Sequence, residues 1–276
     1  MTAEFESTGP DDRRPFAEPL VDDERGKKGR LFSLPSHPEV VVRRDKVNIS
    51  SPESIAATIE SINKTKALFS DLASRDGMYV ANAEYALGEG TYGGESYAIV
   101  ETINGVNLEK MTSFDAVAQK EVDECFANYF RHVARILREG GAYWADMHPE
   151  QFVYGTRDGE EVSHAYVVDL DPFTQDWMNE EGRKQNPPKA RAQALYVLED
   201  LKAYLTSLRM VEAKLPEGEK LDSARNAFAE VLGQMAHTVA IANDNVLTGK
   251  FARLKEFASN EPKYKSIADI RNERQN

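Results

Sequence analysis

The sequence predicts an α+β protein of two lobes, a small β-rich N-lobe followed by a mostly helical C-lobe. Three observations lead there. Short apolar runs bounded by Gly, Pro and Asp fill most of the first hundred residues. Long stripes of apolar residues at helical spacing dominate from about Ser113 onward. A single polar hairpin interrupts those helices between residues 144 and 171.

The elements follow in order. Residues 1–24 carry prolines and scattered acids with few large aliphatics, the composition of a flexible tail or a loosely packed lead-in strand. Arg25 to Arg30 is a basic, Gly-punctuated turn containing Gly26 and Gly29. Leu31 to Leu34 reads as a strand, Pro35 to Pro38 as a hairpin loop and Glu39 to Arg43 as the returning strand. Ser51-Pro52-Glu53 starts a helix that places Ile55, Ile59, Ile62, Leu68 and Leu72 on one face. Met78 to Leu87 and Ser96 to Glu101 read as two more strands, joined by a Gly-rich turn, and Ile103 to Leu108 reads as a connector. Phe126, Tyr129, Phe130, Val133, Ile136 and Leu137 form the apolar stripe of the next helix, which stops at Gly140-Gly141. Beyond Pro188, helices resume over Leu195 to Leu208 and Ala224 to Ala242. The expected organisation is a tail (1–24), an N-lobe (25–102), a helical C-lobe with the hairpin (103–250) and a C-terminal helix and tail (251–276).

Composition narrows the function. A net charge of −12 excludes a nonspecific nucleic-acid binder, whose surface must attract phosphates. No apolar run approaches the roughly 20 residues that span a bilayer. The single cysteine, Cys125, forms no internal disulfide, and a cytoplasmic location is the expectation.

The chemistry concentrates in Trp144-Ala145-Asp146-Met147-His148-Pro149-Glu150-Gln151 and in Val168-Asp169-Leu170-Asp171, separated by two apolar strands with a turn at Gly155 to Gly159. A carboxylate at the mouth of a short loop can orient a hydroxyl nucleophile. An amide and a second carboxylate can offer oxygen ligands to Mg²⁺ on a nucleoside triphosphate. Asp146 is therefore the candidate catalytic residue, and Gln151 and Asp169 are the candidate metal ligands. Asp171 competes with Asp169, and His148 reads as a residue that holds the turn. Trp144 and Trp177 read as packing residues.

The order of elements and the loop Asp146-Met147-His148-Pro149-Glu150-Gln151 resemble the protein-kinase-like fold, in particular its aminoglycoside and choline phosphotransferase branch, whose loop often reads Asp-x-His-Pro-x-Asn. The resemblance extends over residues 20–245, with its specific part in 146–171. It implies an ATP- and Mg²⁺-dependent transfer of a phosphoryl group to a hydroxyl acceptor, a small molecule or an atypical protein substrate. It also implies that Gly29 and Arg43 lie near the phosphates and that the backbone of Glu101 and Ile103 meets adenine. Asp200 is implied to lie on the helix that anchors the loop from below. Nothing in the residues specifies the acceptor or an oligomeric state.

The chain departs from that pattern at several points. Gln151 replaces asparagine, Arg43 replaces lysine, Trp144-Ala145 replaces the histidine before the loop, and the glycine loop is thin. Asp169 also follows Gln151 by 18 positions, which asks for a longer hairpin. A catalytically silent, pseudokinase-like binding module is the alternative these departures imply.

Overall fold

A computed structural model describes residues 20–22, 31–44, 53–57, 59–60, 79–80, 83–87, 96–145, 147–157, 159–168 and 174–260. The expected α+β layout of two lobes is the one observed, with a β-rich N-terminal part and a mostly helical C-terminal part.

The N-lobe is a five-stranded antiparallel sheet. Its strands are β1 (Val21–Asp22), β2 (Leu31–Leu34), β3 (His37–Arg43), β5 (Ala83–Leu87) and β6 (Ser96–Glu101), in the order β1-β2-β3-β6-β5. Between them in sequence lie helical residues 53–57 and 59–60, here α1, and β4 (Tyr79–Val80). Both faces of the sheet are covered. Leu34, Val42 and Tyr97 pack together on one side. Ile55 and Ile59, one helical turn apart, bury against Ala98 in a separate cluster. Ile62, Leu68 and Leu72 of the expected stripe lie outside the described residues.

Two strand expectations change. Met78 to Leu87 is not one strand: β4 leaves the N-lobe sheet and pairs in parallel with β10 (His164–Val167), while β5 stays. The supposed connector is likewise a strand, β7 (Ile103–Asn107). It pairs antiparallel with β9 (Phe152–Arg157), giving a second sheet in the order β4-β10-β9-β7. A break in apolar alternation at Asn104-Gly105 hid β7 from the sequence reading. The glycine serves a close backbone approach instead: an added Cβ on Gly105 would stand 2.2 Å from the Tyr154 carbonyl oxygen.

The C-lobe is built on α2 (Ala116–Glu139), which Asp115 starts by accepting from the N–H groups of Val117 and Ala118. Gly140, at φ 84°, ends it. The expected stripe from Phe126 to Leu137 is buried throughout. Around α2 stand α3 (Glu180–Gln185), α4 (Pro187–Glu212), α5 (Asp222–Ala242) and α6 (Asn245–Ser259). The C-terminal helix thus begins earlier than 251 and stops at 259. A short ladder, β8 (Gly141–Trp144) with β11 (Thr174–Trp177), frames the loop between them. Trp144 and Trp177 are core residues, as expected. None of the helices among the described residues is long and apolar enough to cross a membrane.

Candidate functional site

The loop begins where β8 ends. Pro149 sits in the first turn of a short 3-10 helix, Pro149–Gln151, entered from an extended His148. The Gln151 N–H donates to the His148 carbonyl at 2.9 Å and tightens that turn. Gln151 is buried, and its Nε2 lies 3.3 Å from His148 Nε2. The imidazole also stands 4.0 Å from Glu150 Oε2. His148 holds the turn, as the sequence reading expected.

From Phe152 the chain runs out along β9 and returns along β10, in a register that sets Phe152 opposite Val167 and Gly155 opposite His164. The hairpin then closes: the Val168 N–H donates to the Gln151 carbonyl at 2.9 Å. Two positions far apart in sequence therefore lie side by side, and Asp169 is the next residue after Val168. The turn itself falls later than expected. Gly155 lies inside β9, and the chain reverses after Arg157, with Gly159 at φ 78°. The longer strand explains how an 18-residue spacing is accommodated. Asp146, Asp169, Asp171 and Gly29 lie outside the described residues.

On the N-lobe side, Arg43 ends β3, a central strand, and pairs in register with Leu31 and Ala98. Glu101 ends β6. Its carboxylate is committed to Arg157 of β9, with Nε to Oε1 at 2.5 Å and Nη2 to Oε2 at 3.2 Å. This bidentate pair ties the last strand of the N-lobe sheet to the hairpin. Tyr166 completes the cluster, donating to Glu160 while Arg157 lies over its ring at 5.4 Å. Ile103 packs against Tyr166 and lies opposite Arg157 in the β7–β9 ladder. Between Glu101 and Ile103, Thr102 donates its N–H to the Glu39 carbonyl at 2.8 Å. Its buried hydroxyl has no hydrogen-bond partner among the described residues.

Beneath the loop, Asp200 of α4 accepts from the Tyr143 hydroxyl at 2.8 Å. The expected anchor thus grips β8 through a phenol. Burial pushes the Asp200 carboxyl up to about 6, against the lowering effect of the Tyr143 bond. Burial also raises the Tyr143 phenol. Cys125 lies apart from the loop in the core, its thiol pushed up to about 12 by burial, and is chemically quiet.

A cleft of about 410 Å³ opens beside the loop, lined by His148, Pro149 and Glu150 on one wall and by Glu109, Lys202 and Thr206 among the others. Among the described residues no group of three His, Cys, Asp or Glu side chains could hold a metal. The Gln151 side chain carries a carbonyl oxygen, the kind of hard donor that Mg²⁺ takes.

No protein-family profile matches the chain. No curated protein matches it in sequence. Among solved structures it is similar to an apo pseudokinase at 15% identity, over 84% of this chain and 88% of that one, with a TM-score of 0.33. An overlap that loose assigns no role to any residue here.

Proposed function

We propose that the protein is a kinase-like phosphotransferase that uses ATP and Mg²⁺ to phosphorylate a hydroxyl acceptor, a small molecule or an atypical protein substrate. The observation that carries the proposal is the closed mouth of the hairpin, where the Val168 N–H meets the Gln151 carbonyl. It makes the backbones of Gln151 and Val168 neighbours, which supports reading residues 151 and 169 as ligands of one ion. Asp146 would orient the acceptor hydroxyl, while Gln151 and Asp169 would hold Mg²⁺ bound to the nucleotide. The bound ion supplies charge neutralisation at the phosphates. Arg43 and the Gly29 turn would contact the phosphates, and the backbone at Glu101 and Ile103 would face adenine. A cytoplasmic setting, and no nucleic-acid partner given the net charge of −12, belong to the same proposal.

ATP turnover in the presence of candidate acceptors tests this, with wild type compared against Asp146→Ala and Asp169→Ala. Loss of about a hundredfold or more in either variant is expected for groups that position the reacting atoms. Unchanged turnover in both removes the assignment.

One observation favours a silent, pseudokinase-like alternative. The amide nitrogen of the buried Gln151 lies against His148, so the longer side chain is already spent in part on the loop itself. A thermal-shift titration separates the readings. Stabilisation by ATP that requires Mg²⁺ supports an assembled metal site, and stabilisation by ATP alone supports a silent nucleotide binder.

A further inference from the structure

The loop that carries Asp146 rests on a row of buried hydroxyl groups. On α4, Asp200, Tyr204 and Ser207 are spaced i, i+4 and i+7, which places them on one helix face. Each meets the incoming chain in step. Asp200 accepts from the Tyr143 side chain at 2.8 Å. Tyr204 donates to the Trp144 carbonyl at 3.1 Å. Ser207 donates to the Met147 carbonyl at 3.1 Å, with the Ala203 carbonyl of its own helix 3.0 Å away as the alternative acceptor. Beside Tyr204, Tyr129 of α2 donates to the same Trp144 carbonyl.

Tyr129, Tyr204 and Ser207 are all buried, at 0%, 1% and 3% exposure, as are Trp144 and Met147. Hydroxyls and carbonyls removed from water are costly unless they find each other, so these bonds admit one seating of the chain and penalise the rest. Hydrophobic packing alone tolerates small slides of a loop across a helix. A directional bond to a particular carbonyl does not. Burial raises the Tyr204 phenol well above its ordinary value, so it stays a donor across the working pH range.

We propose that Tyr129, Tyr204 and Ser207 are positioning residues for the phosphotransfer loop, fixing its backbone at Trp144 and Met147, on either side of Asp146. The inference rests on the role proposed above for Asp146. It adds that the loop is held from below through its own carbonyls.

The test uses the full chain with Tyr204→Phe, Ser207→Ala and their combination. Thr238→Val serves as a control: Thr238 is an equally buried hydroxyl on α5 that donates to Gln234 within its own helix. Two readouts are taken, amide hydrogen exchange and steady-state ATP turnover. In the double variant, exchange is expected to quicken about tenfold or more over residues 144–152, with α2 and α5 unchanged, as a local opening demands. Where wild type turns over ATP, kcat is expected to fall about tenfold or more with KM for ATP within about twofold, because positioning acts on the reacting geometry. Thr238→Val should do neither. Exchange that rises uniformly or not at all, or a kcat that matches the control, overturns the inference. A wild type without turnover removes the phosphotransferase reading instead, and the exchange result still decides whether the hydroxyls hold the loop.

Discussion

Gly105 of β7 and Gly155 of β9 face each other so closely that neither could carry a side chain. A Cβ on Gly105 would lie 2.7 Å from the Gly155 Cα, and one on Gly155 would lie 2.5 Å from the Gly105 Cα and 2.3 Å from the Asn104 carbonyl oxygen. The obstacle is backbone on both sides, which cannot rotate away. Alanine at either position should therefore push β7 off β9, costing about 1–3 kcal/mol, the range for overpacked sites. Urea denaturation of Gly105→Ala and Gly155→Ala measures it. Stability within about 0.5 kcal/mol of wild type would show that the strands part without penalty.

The Glu101–Arg157 pair spans the two sheets with side chains 17% and 30% exposed. Solvent screens such a pair, so its coupling energy should be modest, about 1 kcal/mol, despite the bidentate geometry. A double-mutant cycle with Glu101→Gln and Arg157→Met gives that energy directly. It should shrink as salt is raised. A coupling that ignores ionic strength would mean that the pair is shielded from solvent and is not screened as a surface pair.

Asp200 makes stability depend on pH in an unusual direction. Its folded carboxyl titrates at about 6, above the ordinary aspartate value of 3.8. Between roughly pH 4 and 6 the folded protein therefore holds a proton that the unfolded chain has released, and stability falls as pH rises through that window. Asp200→Asn keeps an acceptor for the Tyr143 hydroxyl and removes the titration. The stability of the variant relative to wild type should climb from pH 4 to pH 6 and then level off. A difference that stays flat with pH contradicts the raised carboxyl.

Thr102 presents the opposite case, a polar group that costs stability. Its hydroxyl is buried with no bond among the described residues, and valine matches its shape without the oxygen. Thr102→Val should raise stability by about 1 kcal/mol, the desolvation penalty released. Thermal melting in the absence of ligand reads the gain. A loss instead would show that the hydroxyl has a bond in solution.

Much of this was legible along the chain. The stripe from Phe126 to Leu137 announces α2 because a helix repeats its faces every three to four residues. Val40 to Val42 announces β3 because branched side chains pack on a pleated surface. His148-Pro149 announces the tight loop, since proline fixes the first turn. The hydroxyl row on α4 was equally visible as Asp200-x3-Tyr204-x2-Ser207, but a helix face acquires meaning only when its partner is known. The strand β7 and the separate pairing of β4 escaped for a related reason. Their pairing to β9 and β10 is made across long sequence separations, and neither carries an alternating pattern of its own.

What the residue order determined by itself was local: which stretches coil, which extend, where they stop, and that a carboxylate-bearing loop precedes a hairpin. Tertiary structure decided what was non-local: that Val168 returns to Gln151, that Glu101 is claimed by Arg157, and that two glycines let β7 join the hairpin sheet. The physical reason is that helical and strand periodicity follow from backbone geometry within a few residues. Strand partnership and the pairing of buried polar groups are settled only when distant segments compete for the same bonds.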